Sequence, residues 1–196
     1  VKSGDGFYYD GSTVFHTNKA YTSGYGRALI AASGYYLHVL NGIEDYQSFL
    51  EEKVDLLSEV IEVNYVPVVW QGLLSDVTAG RGISRQLQSQ EVRGLSFING
   101  MTLIARMAKE DQRIQLQGHL KYWIQENPRI VTNLLDPTSK EPNYPFVKFY
   151  HEVMADETVT PIRITEQTYA MNRMAKFFHN REDYSFQISM YNQRIS

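Results

Sequence analysis

The sequence predicts a helical domain followed by the start of an antiparallel β-sheet domain. Apolar residues recur at helical spacing through most of the first 155 residues, and apolar and polar residues alternate at the period of a strand near the end of the chain. Because helices come first and strands follow, without regular strand–helix alternation, we expect two successive domains of different class. We place the helical domain at 1–155, a linker at 156–167 and the first strands of the β domain at 168–196.

The first 25 residues are rich in Gly, Tyr, Asp, Ser and Thr and have no regular apolar spacing. This pattern predicts a long ordered loop that leads into a helix, and loops of this length are often functional. The helix that follows is predicted from Arg27 to Leu40, with Leu29, Tyr36 and Leu40 on one face.

Three longer helices are predicted next, at 46–62, 84–109 and 111–125. The last of them should stop at Asn127-Pro128, since the residue before a proline is disfavoured in a helix. Their apolar faces consist of Leu50, Val54, Leu57 and Ile61 in the first, Leu95, Ile98, Met101 and Ala105 in the second, and Leu116, Leu120 and Trp123 in the third.

The remaining segments are predicted from breakers and alternation. Asn64 to Trp70 should be extended or irregular, Asp76 to Gly82 and Asp136 to Pro145 should be loops, and Phe146 to Met154 a short helix.

Strands are predicted at Tyr169 to Phe178 and Asp183 to Tyr191, joined by a turn at 179–182. Two strands alone are not stable in water, so we expect them to continue into a larger sheet. In the second strand the residues expected on one buried face are Tyr184, Phe186, Ile188 and Met190.

Composition excludes several classes of function. A net charge of -3 argues against a general nucleic-acid binder, and no apolar stretch is long enough for a membrane span. The chain has no cysteine, and we find neither a zinc-binding histidine pair nor a phosphate-binding glycine loop, so no metal or cofactor is expected. Because Val1 is neither an initiator methionine nor the start of a signal peptide, we expect a piece of a longer or processed protein.

The residues best suited to chemistry lie in two places. His16 and Tyr25 bracket a polar, glycine-containing segment, and Arg81 and Arg85 lie at a predicted loop-to-helix junction, where both side chains can point the same way. Two guanidinium groups suit an anionic ligand, because each can bind a carboxylate with two hydrogen bonds. Surface arginines and half-buried packing tyrosines remain the alternative from these patterns alone.

A set of motifs in fixed order resembles polysaccharide lyase family eight, which includes hyaluronate, chondroitin AC and xanthan lyases. The resemblance covers nearly the whole chain, although 41–67 and 125–159 match in pattern rather than in motif. The motifs are Asp10-Gly11-Ser12, His16-Thr17-Asn18, Tyr21-Thr22, Gly24-Tyr25-Gly26, Gly80-Arg81-Gly82-Ile83-Ser84-Arg85, and Phe186-Gln187-Ile188-Ser189-Met190 with Arg194.

The resemblance implies a fold and a reaction. The fold is an incomplete α/α toroid, a ring of paired antiparallel helices, followed by an antiparallel β-sandwich domain; this chain would hold the later helices and the first strands. The reaction is β-elimination at a uronic acid, without a cofactor, acting on an anionic polysaccharide. Secretion or display at the cell surface is implied in the same way, as are further segments of the parent chain before and after this one.

The resemblance also assigns roles to residues. Tyr25 matches the tyrosine that removes the C5 proton and returns a proton to the departing oxygen, and His16 matches a histidine that assists with the carboxylate. Arg81 and Arg85 match arginines that position sugar and tyrosine, while Asn18 and Tyr21 are expected to bind substrate. An asparagine that neutralises the carboxylate lies upstream of this segment in the family, and an acidic residue that supports the arginines lies downstream.

Two other functions stay open at this point. A non-catalytic carbohydrate-binding segment would use the same tyrosines and arginines only to hold a polyanion. A glycoside hydrolase on an α/α toroid would need two carboxylates about 5 to 9.5 Å apart, and no Asp or Glu lies in a comparably organised loop.

Overall fold

A computed structural model describes residues 1–85, 89–134, 144–163 and 166–191. Within these ranges the chain is mostly helical at first and ends in an antiparallel sheet, as predicted. The helices are α1 (Arg27–Leu40), α2 (Gln47–Val60), α3 (Gln90–Ala105), α4 (Glu110–Glu126), α5 (Arg129–Leu134) and α6 (Tyr144–Ala155). The strands are β1 (Gly6–Phe7), β2 (Thr13–Phe15), β3 (Lys19–Ala20), β4 (Val69–Trp70), β5 (Leu73–Leu74), β6 (Glu166–Met171), β7 (Lys176–Arg181) and β8 (Ser185–Ser189).

Helix α3 is the centre of the helical layer. It contacts α1, α2, α4, α5 and α6, and most of its side chains are buried, so it has no solvent-facing stripe. It begins after Ser89, whose hydroxyl accepts the backbone N–H of Val92 at 3.2 Å and caps the helix. The predicted start at Ser84 is wrong, because Gly80–Ser84 forms a 3₁₀ turn; residues 86–88 lie outside the described ranges.

Helices α1 and α3 cross in backbone contact. A Cβ atom added to Gly34 would lie 2.5 Å from the carbonyl oxygen of Gly100, and one added to Gly100 would lie 2.7 Å from the Cα atom of Ala31. The buried face of α1 therefore consists of Ile30, Gly34 and Leu37. The predicted face missed the glycine and was wrong for Leu29 and Tyr36, which are 43% and 59% exposed, whereas Leu40 is partly buried against the core.

Helices α2 and α4 agree with the sequence prediction. All four predicted apolar residues of the first are buried, as are Leu116, Leu120 and Trp123 of α4. Helix α4 ends at Glu126, immediately before Asn127-Pro128. The short helix α5 was not predicted, and α6 starts two residues earlier than expected; most of the predicted loop at 136–145 lies outside the described residues.

The first 25 residues contain more regular structure than predicted. Strands β1, β2 and β3 form a small antiparallel sheet, and Thr22–Gly26 forms one π-helical turn that runs directly into α1. The expectation of a loop was therefore only partly right, because two- and three-residue strands are too short to show an alternating pattern. This sheet places the segment from His16 to Tyr25 against the helices.

The C-terminal sheet has the order β6-β7-β8, with both neighbouring pairs antiparallel. The prediction of one strand from Tyr169 to Phe178 was wrong: Asn172–Met174 forms a 3₁₀ turn, and Ala175 has a φ of 50°. The predicted turn at 179–182 was also misplaced, since β7 continues to Arg181.

The prediction of which face of β8 is buried was wrong. Phe186 and Ile188 are 54% and 39% exposed, whereas Gln187 points inward and accepts a hydrogen bond from Ser75 at 2.5 Å. The alternation was real, but the apolar side chains lie on the side of the sheet that the described residues leave open.

The inner face of this sheet packs on the N-terminal part of the chain. Phe178 and Met171 share a buried cluster with Val14 and Ala20, and the Trp70 indole N–H donates to the carbonyl oxygen of Arg181 at 2.9 Å. The division into two domains with a linker at 156–167 stays a prediction. Among the described residues, no helix has the length and apolar character needed to cross a bilayer.

Candidate active site

A cleft of about 160 Å³ opens where the turn before α1 meets the turn before α3. Four of the six predicted site residues line it, namely Tyr21, Tyr25, Arg81 and Arg85. His16 stands beside it and contacts the two tyrosine rings. Asn18 does not line the cleft; its backbone N–H donates to the carbonyl oxygen of His16 at 2.8 Å within the hairpin loop.

Tyr25 is the accessible tyrosine of the cleft, with 48% of its surface exposed. The π-helical turn directs its ring outward, and the ring centroid lies 5.0 Å from those of both His16 and Tyr21. Glycines on either side allow this arrangement. A Cβ atom added to Gly24 would lie 2.2 Å from the Tyr21 ring, and one added to Gly26 would lie 2.7 Å from the Tyr65 hydroxyl.

Tyr21 is the buried tyrosine of the cleft and is only 5% exposed. Its hydroxyl oxygen accepts the backbone N–H of Arg81 at 3.0 Å and the Arg81 Nε–H at 3.5 Å. Burial raises the pKa of Tyr21, but the hydrogen bonds from Arg81 and the positive charges of Arg81 and Arg85 outweigh it, so that its pKa lies below the ordinary value.

Arg81 interacts with the hydroxyl groups of both Tyr21 and Tyr25. Its pKa is raised chiefly by the hydrogen bond to Tyr21 and the negative charge that Tyr21 can carry, with a smaller charge and hydrogen-bond contribution from Tyr25. The guanidinium group is therefore the shared electrostatic partner of the two tyrosines, and any phenolate formed here would have a fixed cation beside it.

We expect Tyr21 to ionise below the ordinary tyrosine pKa of 10.0 in the natural full-length chain. Since its pKa in the folded state is the lower one, its ionisation stabilises the fold fully above pH 10 or so, and this contribution is lost as the pH falls through the folded-state pKa. A titration of phenolate absorbance should show an early step that disappears in Tyr21→Phe and moves to higher pH in Arg81→Ala. Tyr36→Phe, on the exposed face of α1, is the control; an early step that survives Tyr21→Phe would contradict this assignment.

Two more arginines line the inner end of the cleft, and the sequence prediction missed both. Arg93 is 2% exposed and forms an ion pair with Asp76. Burial lowers the pKa of Arg93, and the charge of Arg27 lowers it further. The Arg27 Nη1 group donates to the Ser96 hydroxyl at 2.9 Å, which ties α1 to α3.

The sequence could have indicated Arg27 as a cleft residue, because Arg27 lies two residues after Tyr25. Nothing in the sequence indicated Arg93. With Arg81 and Arg85 these residues give the cleft four guanidinium groups, and among the described residues no carboxylate lines it. Such a cleft suits an anionic ligand. Within the described ranges, no group of three His, Asp or Glu side chains is arranged to hold a metal ion.

Residues 1–122 match the family described as "Polysaccharide lyase family 8, N terminal alpha-helical domain". A hyaluronate lyase from Thermasporomyces composti is 28% identical over 198 residues, which cover the whole of this chain and 24% of the relative.

Two solved structures share the fold along the whole chain at 25% identity. A Streptomyces coelicolor A3 chondroitin AC lyase in complex with chondroitin sulphate gives a TM-score of 0.78, with 26% of its length covered. A Paenibacillus xanthan lyase gives a TM-score of 0.76, with 18% covered. The chain therefore spans about a quarter or less of the length of each of these relatives.

Proposed function

This chain belongs to polysaccharide lyase family eight, and on that premise we propose that it carries part of the active site of an enzyme that cleaves a uronate-containing polysaccharide by β-elimination. The observation that supports this most directly is the exposed Tyr25 hydroxyl-bearing ring next to Arg81, in a cleft lined by four arginines. A proton-transferring group and a cationic surface for an acidic sugar thus lie within one cleft.

The proposed reaction begins with binding of the uronate. The guanidinium groups of Arg81 and Arg85 bind the anionic sugar, and the His16 ring, 5.0 Å from the Tyr25 ring, faces the same space. A proton at C5 is weakly acidic, so the negative charge that develops beside the carboxylate in the transition state must be stabilised by fixed positive groups. The cleft supplies such groups before the reaction starts.

Tyr25 then acts as base and acid in turn. To accept the C5 proton its oxygen must first be ionised, and Arg81 provides the neighbouring positive charge that holds a phenolate. The C5–H bond breaks, the C4–O bond breaks, and a double bond forms between C4 and C5. The proton now on Tyr25 passes to the departing 4-oxygen, which restores the enzyme and leaves an unsaturated sugar.

The other two site residues are proposed to support this step. Tyr21 fixes Arg81 through two hydrogen bonds and presents its ring edge to Tyr25. Asn18 belongs to the hairpin loop of His16, is partly exposed and lies outside the lining of the cleft. We propose substrate contact for both, with Tyr21 also orienting the arginine.

The substrate class is proposed from the relatives together with the charge of the cleft. Hyaluronan, chondroitin and xanthan are the polymers in the names of the similar proteins, and all carry acidic groups that the exposed Arg81 and Arg85 would attract. Because such polymers are too large to enter a cell intact, we propose that the enzyme works outside the cell or on its surface.

We expect the natural full-length chain to release products with a conjugated double bond from at least one of these three polymers, with a rise in ultraviolet absorbance. The 196-residue segment alone should show little turnover, because the carboxylate-neutralising asparagine that the family places upstream is absent from it; loss of one preorganised donor costs roughly 10²- to 10³-fold in rate.

The products separate the competing functions. Saturated products would identify a hydrolase, and binding without any product would identify a carbohydrate-binding protein. Near-normal activity of the segment alone would show that the upstream residues are dispensable.

A further inference from the structure

We propose that Asp5 is a positioning residue, which holds the His16 imidazole against Tyr25 by binding the backbone of the hairpin loop at 16–18. The inference rests on the proposed function, since it concerns the geometry of the same cleft. It adds a residue that touches neither the cleft nor the sugar, and that acts only through the loop that carries His16.

The loop has an unusual backbone. His16 and Thr17 have φ angles of 52° and 66°, in the left-handed region. This region is uncommon for any residue other than glycine, and for a β-branched residue such as threonine it is an outlier. Two consecutive residues in this conformation persist only when the surrounding structure holds them there, and such residues cluster at functional sites.

The Asp5 carboxylate provides that hold. Its Oδ2 atom accepts the backbone N–H of His16 at 3.0 Å, and its Oδ1 atom accepts the backbone N–H of Thr17 at 2.7 Å. Both residues in the left-handed region are thus bound by one anionic group, through hydrogen bonds of the stronger, charge-assisted kind. The loop also closes on itself through the Asn18 N–H, which donates to the carbonyl oxygen of His16.

The register of the N-terminal sheet explains how Asp5 reaches the loop. Strands β1 and β2 are antiparallel and Gly6 lies opposite Val14, so that Asp5, one residue before β1, lies beside the end of β2. On its other side Gly4 has a φ of 81°, and its carbonyl oxygen accepts the Tyr8 hydroxyl at 2.5 Å. The backbone of Asp5 is therefore held on both sides, by the strand that follows it and by the hydrogen bond to Gly4 before it.

The consequence for the site is geometric. The His16 ring lies with its centroid 5.0 Å from that of Tyr25 and 5.8 Å from that of Tyr21, and the direction of its Cα–Cβ bond depends on the φ angle of His16. Without the carboxylate, the two residues can return to negative φ, which moves the imidazole away from the tyrosines. Misplacement of a catalytic group by about 1 Å can cost on the order of 10²-fold in rate.

The first test replaces Asp5 in the natural full-length chain and follows lyase turnover. Asp5→Ala should lower kcat by about 10- to 100-fold and change KM by no more than about threefold, because the sugar-binding arginines are untouched. Asp5→Asn keeps one acceptor oxygen and should give a smaller loss. Asp45→Ala, which removes the same charge from an exposed site before α2, is the matched control and should have no effect.

The second test uses glycine to remove the need for the carboxylate. Glycine adopts positive φ about as readily as negative φ, so Asp5→Ala combined with Thr17→Gly should regain part of the kcat lost in Asp5→Ala, while the strain at His16 remains. A role for the charge of Asp5 itself would not be rescued in this way. Hydrogen–deuterium exchange of a peptide covering 14–20 should be faster in Asp5→Ala than in the wild type, because the N–H groups of His16 and Thr17 lose their acceptor. The control Asp45→Ala should exchange at the wild-type rate.

Three results would overturn the proposal. The first is a wild-type kcat in Asp5→Ala although His16→Ala has a reduced kcat. The second is a loss of kcat in Asp5→Ala that the added Thr17→Gly does not relieve at all. The third is a rate of hydrogen–deuterium exchange at 14–20 that is the same in Asp5→Ala and the wild type. The exchange measurement needs no turnover, so it tests the role of Asp5 separately from the proposed lyase function. If the full-length chain has no lyase activity, the proposed function fails, and exchange alone still decides whether Asp5 anchors the loop.

Discussion

Replacing Tyr25 by phenylalanine should reduce the lyase kcat of the full-length chain by about 10³-fold, while polysaccharide binding changes little. The substitution removes one oxygen atom, which in the proposed reaction accepts the C5 proton and returns it to the leaving oxygen; loss of general acid–base catalysis costs about 10²- to 10⁴-fold. The ring remains to stack on the sugar, and the exposed arginines Arg81 and Arg85 that attract the polymer are unchanged. Turnover is measured by product absorbance and binding by calorimetry.

Tyr21→Phe is the matched control for this variant. It removes the same atom from a ring 5.0 Å away that is 5% rather than 48% exposed. We expect a smaller loss of kcat, caused by the freedom that Arg81 gains when its acceptor is lost. If Tyr21→Phe were the more damaging of the two, the base would be Tyr21, the tyrosine whose pKa is lowered, and the roles proposed here would have to be exchanged.

Replacing Arg81 by alanine should lower kcat/KM by about 10²- to 10³-fold or more, which is the usual cost of one preorganised donor. The guanidinium group serves both tyrosines and the anionic sugar, so its loss affects binding as well as proton transfer. Arg81→Lys keeps the charge but not the planar set of donors, and should recover only part of the activity.

Arg129→Ala is the control for Arg81→Ala. The Arg129 side chain is 77% exposed and pairs with Glu91 away from the cleft, so its removal should change neither kcat nor KM. A similar loss in both variants would show that long-range attraction of the polymer, rather than contact with Arg81, governs the rate. Repeating both assays at high salt tests this, since screening weakens long-range attraction more than contact within the cleft.

The helices were predictable where apolar side chains alone decide their burial. The spacing of Leu50, Val54 and Leu57 defined α2 correctly, and Pro128 marked the end of α4. The buried face of α1 was not predictable in this way, because it is organised around Gly34, whose contribution is the absence of a side chain. The direction of the β8 face failed for a related reason: alternation shows that two faces differ but does not show which one is covered.

The position of the candidate site residues was predictable as far as the motifs extended, whereas their roles stay a prediction. The resemblance directed attention to His16, Tyr25, Arg81 and Arg85, and the structure places three of them on one cleft with the fourth beside it. Long-range pairing could not be predicted. Arg93 enters the cleft from a helix that looked like core, and Asp5 reaches the His16 loop only because β1 and β2 pair in one register.

The glycine contact between α1 and α3 has a consequence for exchanging parts between related enzymes. Arg27 is the first residue of α1 and Arg93 lies in the first turn of α3, so two of the residues that line the cleft belong to helices whose backbones touch at Gly34 and Gly100. A larger residue at either of these glycines would push α1 and α3 apart. A chimera that takes one helix from each of two parents combines surfaces shaped for different partners, so α1 and α3 should be inherited together, as a single cassette.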